Sequence, residues 1–224
     1  MGQPLEPLRL SRACGSALGA IEIDLIQQTN EKLGRDKLGK FQRFKKTENA
    51  TSRLMRTTSD ITGPRGDDKN GCRAEWTACC EEVAMESFMT SYRSNRLNSF
   101  FMGAAAVIHH HEDLKAFLNS GYLGHSNLKI ESVAANCTDD RLLALVCAAA
   151  VLYFQVTGPF WQLLESDVKN ADFHLYIQKM EKYFADWRED PSDLLDEKFS
   201  GPFGERFQLQ SPMRAQVLKF AAQH

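Results

Sequence analysis

Apolar residues recur along this chain at three- and four-residue intervals in one segment after another, the period of helices with one buried face. Leu18, Ile21, Leu25, Ile26 and Leu33 give a first helix from Ser16, with Gly34 as its stop. Leu38, Phe41 and Phe44 repeat at three-residue spacing and predict a second, short helix, which Leu54–Met55 ends or extends. Trp76, Cys79, Cys80, Val83, Phe88 and Tyr92 predict a helix over 73–92. Leu97 to Leu118 reads as one long helix carrying a smooth Gly103–Ala104–Ala105–Ala106 patch, and Ser126 or Asn127 caps a shorter one ending near Asn136. Phe173, Ile177, Met180, Phe184 and Trp187 share a face, and Ser211–Pro212 opens a last helix through Ala222. No strand alternation of any length interrupts this pattern.

One segment departs from amphipathic patterning. Thirteen consecutive residues, Leu142 to Phe154, are apolar, with Ala148–Ala149–Ala150 in the middle. Alanine favours helix over strand, and Thr138, Asp139 and Asp140 supply cap and first-turn signals. Gly158–Pro159 kinks or breaks the segment before a continuation through Leu164. A helix apolar all round must be covered all round. The expected fold is therefore all-α, a multi-helix bundle of about seven to nine helices around a central helix at about 140–165.

Punctuation divides the chain further. Residues 1–15 read as a flexible lead-in with Pro4 and Pro7, 16–58 as a helical, basic segment, 59–71 as a loop rich in Gly, Pro, Asp and Asn, and 72–224 as the main helical domain, either alone or as one domain with 16–58. The thirteen-residue run is shorter than the roughly 20 residues of a membrane span, and the first residues hold no apolar stretch of signal-peptide type. Six cysteines in no disulfide spacing point to reduced thiols in the cytoplasm or nucleus. Charge is uneven. Between Lys32 and Arg56 nine basic residues face Asp36 and Glu48, in a chain whose net charge is −2. Such asymmetry points to an anionic partner.

Few residues suggest chemistry. On a continuous helix His109 and Asp113 stand four apart on one face, where they could share a divalent metal with a third ligand such as His125 or His174. His110 and His111 point elsewhere, since consecutive helical residues diverge by about 100°. That pair is the candidate metal site, and a metal-dependent hydrolase or nuclease is the alternative function. Cys72, Cys79 and Cys80 lack zinc-finger spacing and read as buried small residues. Asp139, Asp140 and Glu165 could serve two-metal chemistry, but read more simply as helix ends. Lys40, Arg43, Lys45 and Lys46, interleaved with Phe41 and Phe44, are the candidate nucleic-acid contacts, set against an ordinary amphipathic helix with a solvated basic face. No phosphate-loop or nucleophile-elbow motif is present, and no cofactor is expected.

Asn95–Arg96, Asn98, the His109–His110 pair, Thr157–Gly158–Pro159 and Trp161 carry a resemblance over Ser94 to Asp196. There the chain is similar to transposon-derived animal proteins distantly related to hAT-type transposases. The resemblance implies the helical middle region of such a protein. The BED-type zinc finger, the strand-borne catalytic aspartates and the C-terminal dimerisation signature of that family have no counterpart here. It therefore implies a domesticated remnant rather than a working transposase. The expected function is a non-enzymatic intracellular interaction or scaffold protein. A protein partner or a second copy would bind the basic face or a helix face left open by the Gly103–Ala106 patch.

Overall fold

A computed structural model describes residues 6–44, 48–67, 69–92, 97–121, 123–124, 126–169 and 172–224, and every regular element among them is helical. In order they are α1 (Glu6–Thr29), 3-10 turns at Gly34–Lys37 and Gly39–Phe41, α2 (Ala50–Thr62), α3 (Arg73–Glu82), α4 (Leu97–His109), α5 (His111–Asn119) and α6 (Leu128–Asn136). Then come α7 (Asp140–Leu152), a π turn (Tyr153–Thr157), α8 (Gly158–Glu165), α9 (Phe173–Glu189), 3-10 turns at Ser192–Leu195 and Glu205–Phe207, and α10 (Pro212–Ala221). The chain is an all-α bundle, as the periodicity predicts.

The centre is where the apolar run places it. α7, the π turn and α8 make one rod of 26 residues, Asp140–Glu165. By length and composition it could span a membrane, but 83% of its most apolar window is buried inside the protein. Asp139 caps it, accepting from the Leu142 amide at 3.2 Å. α4 packs most extensively on α7, with α10 and α2 beside it. Leu142, Val146, Ala149, Ala150 and Phe154 are fully enclosed. Ala104, Ala105 and Ala106 have no exposed surface. Ala104 to Ala106 are thus enclosed, not a face left open for a partner, while Gly103 is half-buried and a Cβ there would meet only Thr90.

The π turn has a local cause. Pro159 has no amide hydrogen for the Gln155 carbonyl. Instead the backbone of Gly201, at φ +73°, approaches that carbonyl so closely that a Cβ there would sit 2.7 Å away. The Gln155 side chain is tied as well, donating to the Leu194 carbonyl at 3.0 Å. Beyond the turn, α8, α9 and the 201–207 segment build a second, smaller core of Phe160, Leu163, Phe203 and Phe207, against which Tyr176, Ile177 and Met180 pack.

Several boundaries differ from the sequence expectation. The lead-in is helical from Glu6, because Pro7 falls in a first turn that needs no amide hydrogen there. The 59–71 loop starts only at Gly63, since Ile61 and Thr62 are buried at the end of α2. Phe41 and Phe44 lie on 3-10 and turn structure instead of a basic helix, while Leu54 and Met55 belong to the core of α2. α3 stops at Glu82. Ala84 adopts φ +53° and the Met85 amide reaches back to the Cys80 carbonyl at 2.9 Å, a left-handed helix terminus. Residues 85–92 then run without helical structure. The predicted long helix breaks at His110, where His111 Nδ1 lies 2.8 Å from the Ile108 carbonyl and competes for it.

Candidate interaction groove

The basic segment is largely spent inside the fold. The Arg53 guanidinium is buried and pairs with Asp36 at 3.0 Å. Lys37 reaches the Asp139 carboxylate at 2.9 Å, and Lys40 binds Glu131 on α6. Arg35 donates to Ser132 Oγ at 2.9 Å, and Arg56 pairs with Glu48 and Asp60. Of the candidate nucleic-acid contacts, Lys40 is therefore an interhelical clasp and Arg43 lies over the Phe44 ring at 5.8 Å. Lys45 and Lys46 lie outside the described residues. Arg35, Lys37 and Lys40 thus fasten the 30–60 region to the corner joining α6 to α7, while Arg53 and Arg56 pair within the region itself.

The histidine run is also structural. Asp113 makes its ion-pair contact with His110 Nδ1, at 3.5 Å, and acts on His109 only through its charge. His110 has no exposed surface, its Nε2 accepts the Phe88 amide hydrogen at 3.1 Å, and its ring meets Trp76 edge-on at 5.6 Å. Burial, and then the neighbouring His109, push its pKa down to about 4 against the pull of Asp113. A neutral ring whose basic nitrogen is occupied by a backbone amide has no free base to offer. Among the described residues no three His, Cys, Asp or Glu side chains gather as a metal site requires. His125 lies outside them.

The remaining candidates do not converge. Burial pushes the Cys72 thiol up to about 12 and Cys80 to about 11, and it raises Cys79 as well. None is poised as a thiolate. Asp139 and Glu165 stand at opposite ends of the rod, roughly 38 Å apart at 1.5 Å per residue, and Glu165 accepts from Trp161 Nε1 at 2.7 Å.

What the structure offers instead is a groove of about 920 Å³ between α1 and the start of α2. Gly15, Ser16, Gly19, Ala20, Ile23 and Ile26 form its α1 wall. The far wall is fixed by a buried carboxylate: Glu22 accepts from the Ala50 amide at 2.7 Å, the Thr51 amide at 2.8 Å and the Thr51 hydroxyl at 2.7 Å. Asn49 caps α2 through the Ser52 amide at 2.7 Å and donates to the Gly15 carbonyl at 2.8 Å. The charges around the groove are thus already paired, and the open surface is apolar. A side chain added at Gly15 would meet no atom within 4 Å, while Ile23 stands 56% exposed and Ile21 45%. Sequence reasoning passed over this site. Its signals were the Gly15-x-x-x-Gly19 spacing and an isoleucine at position 23 that the core-facing stripe of α1 does not need. Comparison of the chain with protein-family models, with curated proteins and with solved structures found no match, so the groove is read from its own geometry.

Proposed function

We propose that this chain is a non-enzymatic interaction module that pairs with a second copy of itself through α1. One observation carries the reading: hollow and knob lie on the same face. Gly15, Gly19, Ile23 and Ile26 follow at helical spacing, so the stripe presents an indentation at one end and an exposed isoleucine at the other. A two-fold contact requires a surface complementary to itself. An axis near Ala20 sets Ile23 of each copy over the Gly15–Gly19 indentation of the other. All six cysteines are free thiols, which supports placement in a reducing compartment, cytoplasm or nucleus. The resemblance to transposase-derived proteins supplies an ancestry for such a module, and the pairing does not depend on it.

Solution mass by light scattering tests the proposal. The expected result is a concentration-dependent dimer. Ile23→Asp and Gly15→Leu should each give a monomer with unchanged helical circular dichroism. Gly15→Leu is the sharper variant, because it fills the indentation, strains nothing inside the monomer and improves helix propensity by up to about 1 kcal/mol. A wild-type monomer at the highest soluble concentration, or a Gly15→Leu dimer as tight as wild type, overturns the reading.

A further inference from the structure

Positive charge without a carboxylate partner is also found outside the segment where the sequence concentrates it. From Asp172 at the N-cap of α9, Leu175, Tyr176, Lys179 and Lys182 follow at helical spacing and line an open groove of about 820 Å³, bounded by Lys169 on one side and Arg206 on another. On the exposed rim the Arg206 guanidinium pairs with Asp167 at 2.6 Å and lies over the Phe207 ring at 5.2 Å. The floor is fixed, since Tyr176 meets Phe207 at 6.0 Å against the second core. Lys179 is held over the Tyr176 ring at 5.8 Å. Among the described residues neither Lys169, Lys179 nor Lys182 has a carboxylate partner, and Asp172 is the one lining acid left unpaired with a lysine or arginine. Three ammonium groups therefore face one carboxylate across a concave surface with an apolar floor.

We infer that this groove binds a small, multiply phosphorylated ligand. Lysine ammonium groups act as mobile point charges that suit clustered phosphates. The volume falls within the range of small-molecule sites. The lysine-bearing face, from position 172 to 182, is only about 15 Å long at 1.5 Å per residue, too short to track a nucleic-acid backbone over many phosphates. Leu175, 49% exposed beside Tyr176, offers a surface for the ring that carries the phosphates. The same chemistry is found in a soluble polyphosphate and in the headgroup of a phosphorylated lipid.

Calorimetric titration with inositol hexakisphosphate and with ATP, and sedimentation with phosphatidylcholine vesicles with and without a bisphosphorylated inositol lipid, test the inference. The expected result is binding that weakens with salt and falls at least about tenfold in the Lys179→Glu/Lys182→Glu variant. Lys40→Glu/Arg43→Glu, on the segment whose charges are engaged elsewhere, should bind as wild type does. Binding to the soluble compounds alone identifies a free ligand. Binding to the lipid-bearing vesicles, competed by the soluble headgroup, identifies a membrane source. No binding to either, equal binding by the α9 variant, or retention on DNA alone overturns the inference. Both lysines are exposed, so circular dichroism of the variant should match wild type.

Discussion

The Gly34 amide donates to the Asp139 carboxylate at 2.6 Å across 105 residues of sequence. Asp139 also caps α7 and holds Lys37, so one buried side chain fastens the end of the first helical segment to the start of the central rod. Asn136 repeats the contact one step away, accepting from the Arg35 amide at 2.8 Å. Replacing Asp139 by alanine leaves two backbone amides without acceptors and strands Lys37. The expected loss is about 2–4 kcal/mol, read from the urea midpoint. Gly34→Ala should be as damaging, because φ is +50° and a Cβ would collide with Asn136 Oδ1 and Leu142.

Glu22 is the corresponding fastener for α1. It is 6% exposed and supplies both oxygens to the first amides of α2. Glu22→Ala should cost about 2–3 kcal/mol and raise amide hydrogen exchange at Ala50 and Thr51. It should also weaken self-association, since the groove exists only while α1 lies against α2.

Ala84 is the reverse case, a site where stability can be gained. Its left-handed backbone disfavours any residue with a Cβ, and glycine removes the penalty. Ala84→Gly should raise the urea midpoint by the equivalent of about 0.5–1 kcal/mol without changing the slope of the transition.

Acid should destabilise this fold in two stages. His110 is held neutral at a pKa of about 4, below the ordinary value near 6.5, so the unfolded chain binds a proton that the folded chain does not. Its contribution is complete above about pH 6.5 and is lost as pH falls toward about 4, at up to ~1.4 kcal/mol per pH unit. His109, lowered chiefly by burial, acts in the same direction. Burial works to raise Asp139, but the Gly34 amide, Lys37 and the Leu142 amide outweigh it and leave the carboxyl below its usual range. That contribution is present above about pH 4 and disappears as pH drops further. Urea midpoints across the upper window should fall with pH, and His110→Gln should flatten that slope even though the variant is weaker throughout.

The central rod, the α-only class and the last three helices were legible because they rest on composition and on uninterrupted 3.6-residue spacing. What escaped depended on side-chain contacts and backbone turns that spacing does not encode. Apolar periodicity does not say that the helix will break at His110, where His111 Nδ1 lies against the Ile108 carbonyl, or that Ala84 will turn left-handed and let the Phe88 amide reach His110. The basic segment misled for the same reason. The partners of Lys37 and Lys40, Asp139 and Glu131, lie about a hundred residues away, and a net charge counted along the chain cannot see them. The α1 groove was hidden by small residues that carry no hydrophobic signal, and the α9 lysines by acids interleaved in the sequence that point elsewhere.

The π turn at Tyr153–Thr157 takes up one residue without turning the second half of the rod away from the first. A π turn holds one residue more than the α-helical turn it replaces, so the extra residue widens the turn instead of adding the rotation of about 100° that each α-helical residue brings. Deleting one residue there should return the rod to plain α-helix with Phe160 and Leu163 still facing Phe203 and Phe207. The same deletion within α7 should swing them away, so chain length is under looser constraint at the widened turn than in the helix that leads into it.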